Sequence, residues 1–174
     1  MKYIALLRGI NVGGNRKVEM KRLKSLIENI GYTNVSTYLN SGNALFEAEE
    51  TQEQIQLDFP KALFNEFGFE IPTLIKSDVE IKNIASVIPE EWQNNLEQKT
   101  DVAYLFPEVD SEEIIDRIPV KKEYVDLIYV RGAIVWHLMK KNYNKSQLNK
   151  LIGQKLYKEM TVRNVNTARF LARG

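Results

Sequence analysis

The chain has 174 residues, 44% of them apolar and 27% charged, the balance of a soluble globular protein with room for one domain or two small packed ones. It contains no cysteine, which excludes disulfides, thiolate metal sites and cysteine nucleophiles and points to a cytoplasmic address. No run approaches the roughly 18 uncharged apolar residues of a membrane span, and the net charge of +1 hides basic ends around an acidic middle: residues 1–46 carry a net +5, residues 47–119 a net −13 and residues 138–174 a net +8. Asymmetry of this kind favours anionic partners, whether a phosphorylated small molecule, a nucleotide or nucleic acid.

In chain order, YIALLR (3–8) is the first predicted strand, too short and too continuously apolar for a helix. Met20, Leu23, Leu26, Ile27 and Ile30 recur at helical spacing, with Gly31 as the stop. NVSTYL and ALFEAE flank the turn signal NSGN (40–43) and predict a β-hairpin. Thr51 with Gln54 makes a capping box for a helix carrying Ile55, Phe59, Ala62, Leu63 and Phe67, in which Pro60 implies a kink or a late start. EIPTLIKS closes the segment as a strand. The order strand, helix, strand, strand, helix, strand is the split βαβ arrangement of ferredoxin-like domains.

Ser77 and Glu80 then suggest a connecting helix with Ile81, Ile84, Ala85 and Ile88 inward, followed by a polar connection over 89–100. The second half repeats the order: strand VAYLF, a short helix opened by Ser111, strands YVDLIYV and AIVWHL around an Arg-Gly turn, a helix capped by Ser146, a brief strand EMTV and a terminal helix. The expected class is α+β, two ferredoxin-like (βαββαβ) halves packed together. The expected division is 1–77, a connecting helix and linker over 78–100, and 101–174.

Three segments concentrate polar and glycine residues. RGINVGGNRK joins a strand to a helix, where backbone N–H groups can converge on an anion beside the helix N-terminus. It fits neither the phosphate-loop nor the dinucleotide pattern. What it offers is Gly13 and Gly14, which let the backbone approach a ligand, and donors on Arg8 and Asn11. The plainer reading is a wide turn locked by its own asparagines. In the hairpin, Asn40, Ser41 and Asn43 carry more hydrogen-bonding capacity than a turn needs. In TVRNVNTARFL, Asn164 or Asn166 can cap the terminal helix, while Arg163, Thr167 and Arg169 are left for other duties. A cation at a helix N-terminus is disfavoured unless an anion lies between.

Elsewhere the signals are thinner. KKNYNKSQLNK (140–150) places Lys140, Lys141, Lys145 and Lys150 around Tyr143, able to hold phosphates and stack on a base, or simply a solvated face. His137 is the only histidine and, beside Trp136 in a strand, reads as a partly exposed or hydrogen-bonded structural residue. No second histidine or carboxylate pair suggests a metal site, no cofactor is implied, and no nucleophile sits in a recognised frame.

Taken together and in this order, ALLRGINVGGNRKVEM, TYLNSGN and TVRNVNT resemble a bacterial family catalogued as domain of unknown function 1697. The likeness spans nearly the whole chain. Val165 stands where that family more often carries an aromatic. The resemblance implies an α+β fold with ferredoxin-like parts and a cytoplasmic bacterial protein, and it implies no established activity. Joined to the reading of the residues, it leads us to expect the three segments to form one polar cleft that binds an anion. Two other possibilities are an enzyme acting on a phosphorylated or nucleotide substrate, and an interaction module whose polar motifs only lock loops.

Overall fold

In the computed structural model, which describes all 174 residues, YIALLR becomes β1 (Lys2–Leu7), the second-from-edge strand of a four-stranded sheet. It pairs antiparallel with β3 (Asn43–Glu47) on one side and β4 (Thr73–Ser77) on the other, and β2 (Thr33–Tyr38) joins β3 as the hairpin partner. The resulting order is β2-β3-β1-β4. Tyr3 to Leu7 are buried on both faces, which is why this strand reads as an unbroken apolar run rather than an alternation.

Two helices cover one face. α1 (Met20–Asn29) buries Leu23 and Ile27, and α2 (Gln52–Phe67) buries Ile55, Phe59 and Leu63. Between them and the sheet sits an aromatic stack: the Phe46 ring lies 4.9 Å from Tyr32 and 5.7 Å from Phe59, both nearly parallel. The Thr51 hydroxyl caps α2 by accepting the Gln54 N–H at 3.3 Å, as the capping box predicts, and the helix runs on through Pro60 rather than starting late. Edge strand β4 is covered by α2. Gln56 donates to the Thr73 carbonyl and accepts the Ile75 N–H, and Gln52 donates to the Ile75 carbonyl. Side-chain amides thus take the place of a fifth strand and close an edge that would otherwise invite pairing.

This first unit comprises Met1–Asp78 with Gly174; Val79–Arg173 form the second. α3 (Asp78–Ser86) follows β4 directly and buries Ile81 and Ile84. In the second unit β5 (Gln98–Leu105) pairs antiparallel with β7 (Ala133–Met139) and β8 (Met160–Asn164), and β6 (Asp126–Val130) pairs with β7. The order β6-β7-β5-β8 repeats that of the first sheet. α5 (Val165–Arg173) continues β8 without a loop.

The crossovers differ from the sequence expectation. The segment after Ser111 is a 3-10 helix, Glu112–Arg117, and the segment after β7 is a one-turn helix α4 (Tyr143–Ser146) followed by 3-10 turns Leu148–Gly153 and Lys155–Glu159. Of the apolar residues on which the two helices were expected, Ile114, Ile118, Leu148, Leu151 and Leu156 are buried, whereas Ile152, expected in the second of them, is exposed. Ser146 ends a turn instead of capping a long helix. Its hydroxyl donates to the Tyr143 carbonyl at 2.6 Å and accepts the Leu148 N–H at 3.2 Å, while Gln147 takes a left-handed φ of 64° that no helix interior tolerates. No helix is long and apolar enough to cross a membrane.

Candidate functional site

The glycine-rich segment folds as a miniature hairpin. Val12 and Asn15 bridge antiparallel, the Asn15 N–H donates to the Val12 carbonyl at 3.2 Å, and the Asn11 N–H donates to the Arg16 carbonyl at 3.0 Å. Gly13 and Gly14 form its tip with φ of 61° and 77°, the two consecutive left-handed residues that a tight two-residue hairpin turn needs. Asn11 is the lock. Its Nδ2 donates to the Val18 carbonyl at 2.9 Å and to the Asn40 carbonyl at 2.8 Å, and its Oδ1 accepts the Val18 N–H at 2.8 Å. One amide therefore closes the loop on itself and ties it to the β2–β3 turn.

Arg16, which sequence reasoning passed over, anchors the other side. Its Nε donates to the Gly9 carbonyl at 2.9 Å, its Nη2 to the Glu70 carbonyl, and its guanidinium lies over the Phe69 ring. At the start of the loop, just after β1, the Arg8 N–H donates to the Pro72 carbonyl at 2.8 Å, and the Arg8 side chain is half-buried.

In the β2–β3 turn, Asn43 is fully buried and donates to the Tyr38 carbonyl at 2.8 Å and to the Ser41 hydroxyl at 3.0 Å. Asn40 is exposed and meets Asn11 through its carbonyl. The two motifs of the first unit thus come together, and they flank a surface cleft of about 280 Å³ lined by Asn11, Gly14, Lys17, Val18, Glu19 and Asn40. α1 begins at its margin. Glu19 occupies the N-cap position with no side-chain cap, and the first turn, which includes Lys21 and Arg22, holds no acidic residue. Arg22 is already engaged, with Nε 2.7 Å from Glu66 and the guanidinium over Phe67. Lys17 and Glu19 were legible only as ordinary surface charge, since nothing in their spacing marks a cleft.

The third motif belongs to the second unit, and its side chains bond within that unit. Arg163 is only 6% exposed and donates from Nη1 to the Thr161 hydroxyl and the Val162 carbonyl. Burial lowers its pKa to about 10, with the Tyr104 and Tyr157 phenols opposing the shift. Asn164 rather than Asn166 caps α5, accepting the Thr167 N–H at 3.0 Å, and Thr167 is buried. Asn166 and Arg169 reach the connection before β5: Asn166 donates to the Asn94 carbonyl, and Arg169 donates to the Pro89 carbonyl and to Gln93 Oε1. Val165 is fully buried core. No three His, Asp or Glu side chains are grouped to hold a metal ion.

His137 is fixed in the same region. Its Nδ1 lies 2.8 Å from the Thr100 hydroxyl, which itself donates to the Gln93 carbonyl at 2.7 Å. A hydroxyl has one proton to give, so Nδ1 of His137 must be the donor in their bond, which sets the neutral ring as the Nδ1–H tautomer. The ring stacks on Trp92 at 4.8 Å. Burial pushes the imidazole pKa below its ordinary value, against the opposing pull of Asp126 and Glu91. The unfolded chain therefore takes up a proton before the folded one as pH falls. The stability His137 contributes is full above pH of about 6.5 and declines as the pH drops through that value. An NMR titration of this sole histidine should give a midpoint below about 6.5 in the folded protein. A midpoint at or above that value would show that burial does not control it.

Two four-stranded antiparallel sheets of one topology, with helices and 3-10 turns over them and polar loop motifs fixed by their own side chains, define a two-unit mixed α/β protein. The chain belongs to the family described as "Protein of unknown function (DUF1697)", whose model matches residues 1–136 and so takes in the first two motifs but not the third. Among solved structures it is similar to one described as that of the conserved bacterial protein SP0830 from Streptococcus pneumoniae, at 24% identity and a TM-score of 0.85, covering 99% of this chain and 97% of that one. That likeness is one of fold. No curated protein matches the chain.

Proposed function

We propose that the first unit binds the anionic group of a small molecule, such as a phosphate, in the cleft between the glycine hairpin and the β2–β3 turn. The observation that carries this is the double lock made by Asn11, which holds the glycine tip at Gly14, Lys17 and the N-cap end of α1, at Glu19, along one 280 Å³ cleft. Backbone N–H groups at a helix N-terminus attract negative charge, and Lys17 adds a cation that forms no ion pair. The asparagines do not grip the ligand in this reading; they preorganise what does. Ferredoxin-like halves, divided near residues 77 and 101, and a cytoplasmic address complete the proposal. The repeated sheet order supports the first and the cysteine-free composition the last. The reading in which the motifs only lock loops draws its own support from Asn43, Asn164, Asn166 and Arg169, each bonded within the fold.

Calorimetric titration with inorganic phosphate and pyrophosphate at low ionic strength tests the proposal. Saturable binding is expected, weakened about tenfold or more by Lys17→Glu. Glu19→Gln should tighten it several-fold, since that carboxylate also lines the cleft and opposes an anion. Amide shifts should centre on Gly13, Gly14 and the first turn of α1. An absence of saturable binding, or shifts centred elsewhere, overturns it.

A further inference from the structure

The crossover between β7 and β8 carries a feature that the first unit's cleft does not use. From residue 140 to residue 158 the chain has six lysines and no acidic residue. Lys140, Lys141, Lys145, Lys150, Lys155 and Lys158 are all exposed, and none is in an ion pair. Some exposed lysines elsewhere in the protein are paired with acidic neighbours, as Lys24 is with Glu28, Lys61 with Asp58 and Lys122 with Asp116. In this segment none is so paired.

The same segment contributes to a pocket of about 120 Å³ lined by three aromatic side chains, Trp136, Tyr143 and Tyr157, with Ile152 largely exposed among its lining residues. The one carboxylate there, Asp101, is neutralised: its Oδ2 accepts from Lys99 Nζ and from Trp136 Nε1, each at 2.9 Å. Tyr143 and Tyr157 are half-buried, so their rings both pack on the core and line the opening. Unpaired cations in the same segment as residues lining a concave aromatic pocket match a strand of phosphates whose bases are free to leave the stack. A duplex keeps its bases stacked and has none to insert. An anionic membrane is matched by a set of apolar side chains that project outward, whereas here the rings line a recess and only Ile152 stands exposed.

We propose that this crossover is a contact surface for single-stranded nucleic acid, with backbone phosphates on the exposed lysines and one base in the pocket lined by Trp136, Tyr143 and Tyr157. Trp136 comes from the middle of the interior strand β7 and is buried at the base of the pocket, while Tyr143 and Tyr157, which are half-buried, come from short turns outside the sheet. The surface uses none of the residues of the phosphate cleft and stands or falls separately from it.

Fluorescence anisotropy with labelled oligo(U) and oligo(dT) of about twelve nucleotides, on the full chain, tests this. Binding should weaken with salt at a log–log slope of about −2 to −3, the value for three or four neutralised phosphates on a single strand. The double variant Lys145→Gln/Lys150→Gln should flatten that slope by about 1.4. Tyr157→Leu, which keeps an apolar side chain but removes the ring, should weaken binding about tenfold at unchanged slope. Ile152→Glu, at an exposed position where folding is not at stake, should also weaken it. The inference is overturned by equal or tighter binding of a duplex of the same length. It is also overturned by binding to phosphatidylserine vesicles but not to the oligonucleotides, or by affinity indifferent to both Tyr157→Leu and Ile152→Glu.

Discussion

Gly42→Ala should destabilise the protein by about 2–5 kcal/mol, while Gly14→Ala should cost only about 1–2 kcal/mol. Both glycines hold left-handed backbone, with φ of 91° and 77°. For a residue with a Cβ, that alone costs about 1–2 kcal/mol. The two differ in what surrounds them. A Cβ on Gly42 would stand 2.7 Å from the Leu7 Cβ and 2.8 Å from the Ile10 Cδ1, whereas one on Gly14 would meet nothing within 4 Å. The Leu7 Cβ cannot swing aside, because it is fixed to the backbone of β1, whose N–H donates to the Gly42 carbonyl at 2.9 Å. Relieving the clash means moving the turn off the strand, and crowding of this kind adds about 1–3 kcal/mol. Urea unfolding of the two variants measures the difference. Equal losses would mean that the turn needs glycine for its backbone only and that its approach to β1 is not tight.

Much of the fold follows from local rules that a sequence displays. The hairpin announces itself through NSGN, α2 through Thr51 and its apolar spacing, and β1 through a run too short to be a helix yet apolar throughout. The places where sequence and structure part have physical reasons. β5 begins at Gln98, well before VAYLF, because Thr100 and Asp101 are buried by pairing: the first bonds His137 and the Gln93 carbonyl, the second Trp136 and Lys99. Polar residues satisfied across strands leave no trace in an apolar pattern. The crossover after β7 reads as a helix because Leu148 and Leu151 are three apart, a spacing that 3-10 and α turns share, and only the left-handed Gln147 decides between them. For the candidate site, residue types were legible and bond directions were not. Asparagine-rich loops suggested donors for a ligand. The structure shows Asn43 turned to a backbone carbonyl of its own turn and Asn11 to carbonyls of its own loop and of the β2–β3 turn, and an arginine in the third motif, Arg163, buried at a depth that its charge would not suggest.

Asn11→Ala should cost about 2–4 kcal/mol, and its comparison with Asn11→Gly separates the two readings of the glycine hairpin. Removing the side chain deletes three hydrogen bonds at once, two donated by Nδ2 and one accepted by Oδ1. The Val18 N–H then loses its acceptor beside a buried side chain, and an unmet buried group costs about 1–3 kcal/mol. Alanine also tolerates the φ of 55° less well than asparagine, by about 1 kcal/mol, and glycine removes that part. Asn11→Gly should therefore lie about 1 kcal/mol above Asn11→Ala in stability while lacking the same three bonds. Asn11→Asp should be no better than alanine, because it keeps the acceptor for Val18 but turns a second oxygen toward the Val18 and Asn40 carbonyls. Phosphate affinity measured on the same variants completes the test. If the lock exists to preorganise a receptor, Asn11→Gly loses affinity and stability together, while Lys17→Glu loses affinity alone. If the lock only holds the fold, Asn11→Gly still loses stability, and there is no phosphate affinity for Lys17→Glu to change. The two readings thus agree on Asn11 and part on Lys17, a surface lysine whose replacement puts no buried contact at risk.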